Sequence, residues 1–155
     1  MLLGTNKIKV KTKAPKSRGY IMYQGPSMLT GAEIVVIATM QTTNDKTGDM
    51  VQTWILDANT NPVEAIKTGA DENVCGHCPH RGTTCYVNVG QAPNAVYKGF
   101  KRGIYPQFDM ALHGAYFAHR KTRLGAYGDP AAVPYTTMAL IAGLGLGHTG
   151  YTHQI

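Results

Sequence analysis

The chain has 155 residues, 43% hydrophobic and 15% charged, which fits one globular domain and excludes an intrinsically disordered chain. No apolar run approaches the roughly 18 residues of a membrane-spanning helix. The start, Met1-Leu2-Leu3-Gly4-Thr5-Asn6-Lys7, lacks the apolar segment of a secretory signal, so a cytoplasmic protein with no membrane contact is expected.

The net charge of +6 is concentrated at one end. Lys7, Lys9, Lys11, Lys13, Lys16 and Arg18 fall within residues 1–18, where there is no acidic residue. Removing these six from the 15 basic residues leaves nine, which balance the nine acidic ones. Residues 1–18 therefore read as a basic, flexible arm, and residues 19–155 as a single α/β domain. Such an arm suits nucleic-acid phosphates or an acidic partner, or it is simply solvated. The alternation Ile8-Lys9-Val10-Lys11 would also suit an edge strand guarded by lysines.

Beyond the arm, residues 33–39 and 50–56 are β-branched and apolar runs separated by a turn-forming stretch, which predicts a hairpin. Asn61-Pro62 with Glu64 predicts a helix start, and Gly69 its end. A cysteine loop follows at residues 71–86, and residues 86–89 read as a brief extended piece. Residues 90–101 read as a helix with Ala95, Val96 and Phe100 on its apolar side. A second helix is predicted over residues 108–119, using Met110, Ala111, Ala115 and Phe117 to pack. Residues 122–127 read as a strand, Gly128-Asp129-Pro130 breaks it, residues 134–144 form an apolar helix, and residues 147–152 another strand. This alternation predicts βα units and a parallel sheet after the N-terminal hairpin. A final parallel strand should be central. Either the sheet is small and closed by the hairpin, or it is the first part of a longer barrel.

The cysteines carry the strongest chemical signal. The segment Cys75-Gly76-His77-Cys78-Pro79-His80-Arg81-Gly82-Thr83-Thr84-Cys85-Tyr86 places three thiols within eleven residues. An odd count in a chain expected to be cytoplasmic argues against a disulfide framework and for a metal. A CxxC pair can turn two thiolates toward one ion, Gly82 lets the loop return with the third, and Arg81 favours thiolates over thiols. Zinc would take Cys75, Cys78 and Cys85 with a histidine, His80 being better placed than His77 inside the CxxC turn. A [4Fe–4S] cluster on the same three cysteines would leave one iron open. There is no G-x-S-x-G elbow, GxxxxGK[ST] loop or H-E-x-x-H helix. Gly143-Leu144-Gly145-Leu146-Gly147 follows an apolar helix instead of opening one, and reads as a helix end. A Cys85–His113 nucleophile pair has the residue types but no supporting spacing.

From about residue 74 to residue 155 the chain resembles phage-encoded proteins of the radical S-adenosylmethionine type, whose signature is a three-cysteine loop ending in Cys-Tyr. The resemblance rests on Cys75, Cys78 and Cys85-Tyr86, on Gly125-Ala126-Tyr127-Gly128-Asp129-Pro130-Ala131-Ala132-Val133-Pro134, and on Gly150-Tyr151-Thr152-His153-Gln154. The family's common spacing is CxxxCxxC, and its barrel has more strands than this chain supplies. The resemblance implies a partial, incomplete TIM-barrel-like sheet, with a [4Fe–4S] cluster on Cys75, Cys78 and Cys85 and S-adenosylmethionine as cofactor. It further implies contacts to that cofactor from Gly125, Tyr127, Gly128 and Asp129, with Tyr151 and His153 meeting cofactor or substrate. It implies an enzyme, or a fragment of one, acting on a nucleotide or nucleic acid, in the host cytoplasm if phage-encoded. The residues alone equally allow a turn at Gly128-Asp129-Pro130, surface histidines at His148 and His153, and a non-enzymatic zinc module whose arm contacts nucleic acid or a host protein.

Overall fold

The computed structural model describes residues 17–40, 50–76, 90–150 and 152. Its centre is the hairpin of β2 (Glu33–Thr39) and β3 (Val51–Asp57), paired antiparallel from Ile34 opposite Asp57 to Thr39 opposite Gln52. Successive side chains alternate faces, so Ile34, Val36 and Ala38 point to one side of the sheet and Val35 and Ile37 to the other. All five are fully buried. β2 is therefore covered on both faces, which explains its unbroken apolar run.

β1 (Gly19–Pro26) pairs antiparallel with β2 and has a bulge between Ile21 and Tyr23. This strand has no clean apolar alternation and was not among the expected elements. On the other side, β4 (Lys121–Tyr127) pairs parallel with β3, and β5 (Gly147–Thr149) pairs parallel with β4. The sheet is thus open and mixed, in the order β1-β2-β3-β4-β5, with the expected antiparallel hairpin joined to the parallel strands β4 and β5. Among the described residues β5 lies at its edge, not at its centre, and is shorter than the strand expected over residues 147–152.

α1 (Pro62–Thr68) matches its sequence signals. The Asn61 side chain accepts a hydrogen bond from the Glu64 N–H at 2.9 Å, Pro62 opens the helix and Gly69 closes it in a left-handed conformation. α2 (Glu72–Cys75) is a single turn. α3 (Ala92–Lys101) buries Pro93, Val96, Tyr97 and Gly99. Its apolar side is turned from the expected one: Ala95 is exposed and Tyr97 takes its place against the core.

The helix expected over residues 108–119 is α4 (Met110–His113) followed by a 3-10 turn (Gly114–Tyr116). Two tertiary demands shorten it. The Phe108 N–H donates to the Ile21 carbonyl of β1, which holds the preceding chain extended. At the other end Phe117 is drawn into a second core cluster with Tyr20, Ala38, Met40 and Val51, while Met110 stays 60% exposed. α5 (Tyr135–Gly143) buries Met138 and Ile141.

The β3–β4 ladder contains an irregularity that bears on the site. Gln52 pairs with Arg123 but Trp54 with Tyr127, so β4 carries two extra residues there. Thr53, fully buried, fills the gap: its hydroxyl donates to the Arg123 carbonyl and accepts from the Gly125 N–H, both at 2.8 Å. Nearby Thr122 is also fully buried, and its hydroxyl has no hydrogen-bond partner among the described residues. A desolvated, unpaired hydroxyl is a cost. Thr122→Val should keep the fold and gain about 1 kcal/mol in urea denaturation; a loss of that size would show that the hydroxyl is satisfied.

Candidate metal centre at the strand ends

Because β3, β4 and β5 run parallel, their carboxyl ends lie on one side of the sheet. β3 ends at Asp57, and β4 runs into Gly128 and Asp129. The segment beyond β5 reaches the same place, for the Thr152 hydroxyl donates to the Asp129 carboxylate. Carboxyl ends of parallel strands are where α/β proteins build binding sites.

α2 crosses this edge and carries Cys75 at its last position. Four residues cannot hold a helix by themselves, so tertiary contacts hold it. Val74 is buried in the main core. Its carbonyl accepts from the Asp129 N–H at 2.7 Å, which ties the turn beside Cys75 to the end of β4. Asn73 supplies the remaining anchors. Its Nδ2 donates to Asp57 Oδ2 at 2.6 Å, its Oδ1 accepts from the Thr30 hydroxyl at 2.7 Å, and its carbonyl accepts from the Ser27 hydroxyl at 2.7 Å. One residue, two before Cys75, thus joins β3 and the β1–β2 connection.

Of the cysteine set, Cys75 is described and half-buried; Cys78, Cys85 and His80 lie outside the described residues, as do Tyr151 and His153. Gly125 sits at the β4 irregularity with a φ of +73°, and its N–H is taken by Thr53. Gly128 lies against the backbone of β3. Tyr127 is buried in the main core. Asp129 is 5% exposed, and its Oδ1 accepts from the Ala131 N–H at 2.9 Å as well as from Thr152.

The structure therefore brings Cys75 and the segment ending in Asp129 together. Among the described residues it does not bring His148 or His113 there: His148 stands opposite Thr122 near the start of β4, exposed, and His113 stacks on Tyr20 at 4.3 Å, toward the other end of the sheet.

Sequence reasoning missed Asp57, Asn73, Ser27, Thr30 and Thr152. Asp57 closes a recognisable strand and Asn73 adjoins the cysteines, but Ser27 and Asn73 are separated by 46 positions with no local pattern between them. The neighbouring Tyr97 phenol is raised above its ordinary value, first by burial and then by the Asp57 carboxylate. Among the described residues no three His, Cys, Asp or Glu side chains group to hold a metal. Asp57 and Asp129 act there as hydrogen-bond acceptors, and Cys75 is the one member of the proposed thiolate set that they include. No family model, curated protein or solved structure matches this chain.

The donor chemistry fits a soft metal. Three thiolates suit zinc completed by a histidine, or three irons of a [4Fe–4S] cluster. The fixed approach of Cys75 also fits, since a ligand held by packing and outer hydrogen bonds loses less freedom on binding.

Proposed function

We propose that the chain is a cysteine-ligated metal protein in which Cys75, Cys78 and Cys85 hold a [4Fe–4S] cluster at the carboxyl ends of the parallel strands. On this reading it is a radical S-adenosylmethionine-type enzyme, working in the cytoplasm on a nucleotide or nucleic acid. β3, β4 and β5 then correspond to consecutive strands of an incomplete TIM-barrel-like sheet. The observation that supports the reading is the 2.7 Å hydrogen bond from the Asp129 N–H to the Val74 carbonyl, which puts the start of the cysteine loop beside the strand-end segment 125–129. When bound, such a cluster supplies an open iron able to chelate the methionine end of S-adenosylmethionine. The chain's own part is to fix Cys75 through Asn73 and Val74 beside the strand-end segment 125–129.

A second reading is favoured by how fully that turn is used. The Asp129 carboxylate is engaged by Ala131 and Thr152, Tyr127 is buried, and Gly128 packs on β3. These commitments suit a structural zinc on Cys75, Cys78, Cys85 and His80, with a binding function for the arm.

Metal analysis and the visible spectrum of protein purified without oxygen separate the two. The cluster predicts brown protein with a broad band near roughly 400 nm and about four irons per chain; zinc predicts colourless protein with about one zinc per chain. Cys78→Ala should abolish stoichiometric metal in either case. Retention of full metal by this variant with the fold intact would remove the cysteine assignment altogether.

A further inference from the structure

The basic arm does not end in isolation. Arg18, its last cation, precedes β1, and its carbonyl accepts from the Met40 N–H at 2.9 Å. Next to it the Tyr105 ring lies between two glycines: a methyl group on Gly19 would stand 3.2 Å from the ring, and one on Gly99 of α3 would stand 3.0 Å from it. Tyr105, 8% exposed, therefore packs the start of β1 against α3. Its phenol is raised by burial and drawn back by the guanidinium groups of Arg18 and Arg102, which both lie within electrostatic reach of it.

α3 presents Lys98 and Lys101 in its last turn and Arg102 at its C-cap, all exposed, as is Arg18. Cations at a helix carboxyl end complement the helix dipole, which accounts for the three on α3 but not for Arg18. Lys101 is partly committed, donating to the Ala58 carbonyl at 3.3 Å and lying over the Tyr97 and Phe100 rings. Arg18, Lys98 and Arg102 have no carboxylate partner among the described residues, where the one ion pair is Lys67 with Glu64.

We propose that Arg18, Lys98 and Arg102 form a phosphate-binding surface for nucleic acid. Arg18 and Arg102 both act on the Tyr105 phenol and Lys98 lies one turn before Arg102 on α3, and cations without a carboxylate partner placed in this way are the electrostatic footprint of a polyanion site. The composition favours nucleic acid over an acidic protein. A protein interface has an apolar core and few lysines, whereas here Tyr97 and Tyr105 are buried and Ile104 is the exposed apolar side chain beside the cations. With its aromatics buried, the patch has no platform for stacking bases, so binding should be independent of sequence.

Fluorescence anisotropy with a labelled oligonucleotide of about 20 nucleotides tests this across a salt series. The wild-type chain should bind, and the log–log salt slope should fall by roughly 1.5 in the Arg18→Gln/Arg102→Gln variant, weakening binding roughly tenfold or more near 0.1 M salt. Lys98→Gln, an exposed single change, should lower the slope by about 0.7–0.9, and Arg102→Lys should keep it. Wild-type affinity and slope in both Gln variants would overturn the proposal, leaving the arm alone as the binder. Failure of the wild-type chain to bind the oligonucleotide, whether or not it binds anionic vesicles or poly-glutamate, would overturn it as well. None of these outcomes depends on the metal reading.

Discussion

Replacing Gly128 with alanine is expected to bring the domain close to unfolding. Gly128 has a φ of +86°, where a side chain costs about 1–2 kcal/mol even in open space. Here the space is closed: a Cβ would stand 2.6 Å from Ile55 Cβ and 2.7 Å from the Ile55 carbonyl oxygen. Neither neighbour is the far end of a flexible side chain. Ile55 is fully buried at the centre of β3, so relief requires β4 to move away from β3 or the Gly128-Asp129 turn to open. Strain and clash together should cost about 3–5 kcal/mol, a large part of the stability of a small domain. Urea denaturation followed by circular dichroism reads the loss. A midpoint within error of wild type would mean that β4 can slide on β3 without penalty, contrary to the packing seen there.

Gly128 also shows how one residue can be legible in two ways. In the sequence it marks a turn, and by resemblance it marks a cofactor contact; the close approach to Ile55 gives it a packing reason that neither reading contained. Elsewhere, local chemistry was enough. The β-branched runs of β2 and β3 and the Asn61, Pro62 and Gly69 signals of α1 determine their own conformation, because alternation, capping and left-handed turns act over a few residues. β1 escaped because a bulged strand without alternation owes its form to β2, its neighbour in the sheet. α4 is short because Ile21 and the second core cluster act on residues far from them in sequence. The same holds at the site. Cys75 and Asp129 could each be singled out from local motifs, but their meeting through Val74 depends on parallel pairing of β3 with β4, a long-range contact.

The second large effect is expected at Asn73, the residue least conspicuous in the sequence and most connected at the site. Asn73→Ala removes the donor 2.6 Å from Asp57 Oδ2 and the acceptor of the Thr30 hydroxyl. Asp57 is 7% exposed and would keep only the Asn59 N–H, at 2.8 Å on Oδ1, of the two hydrogen bonds resolved to its carboxylate. Stripping a buried carboxylate of a donor costs about 2–3 kcal/mol. Much of this should appear locally, since α2 has no side-chain cap and is only four residues long. Asn73→Asp should be worse than alanine near neutral pH, because it sets a second carboxylate against Asp57. If Cys75 belongs to a metal site, loosening α2 should also weaken metal retention, on the scale of about 10–100-fold seen when outer-shell partners are lost. The two readouts separate the claims. A loss of stability with metal affinity unchanged would confine Asn73 to the fold, and a wild-type denaturation midpoint would show that the hydrogen bonds joining Asp57, Thr30 and α2 contribute nothing to it. Loss of metal affinity with the global midpoint lowered by no more than the local cost would place Asn73 as the positioning residue through which the sheet holds the cysteine loop.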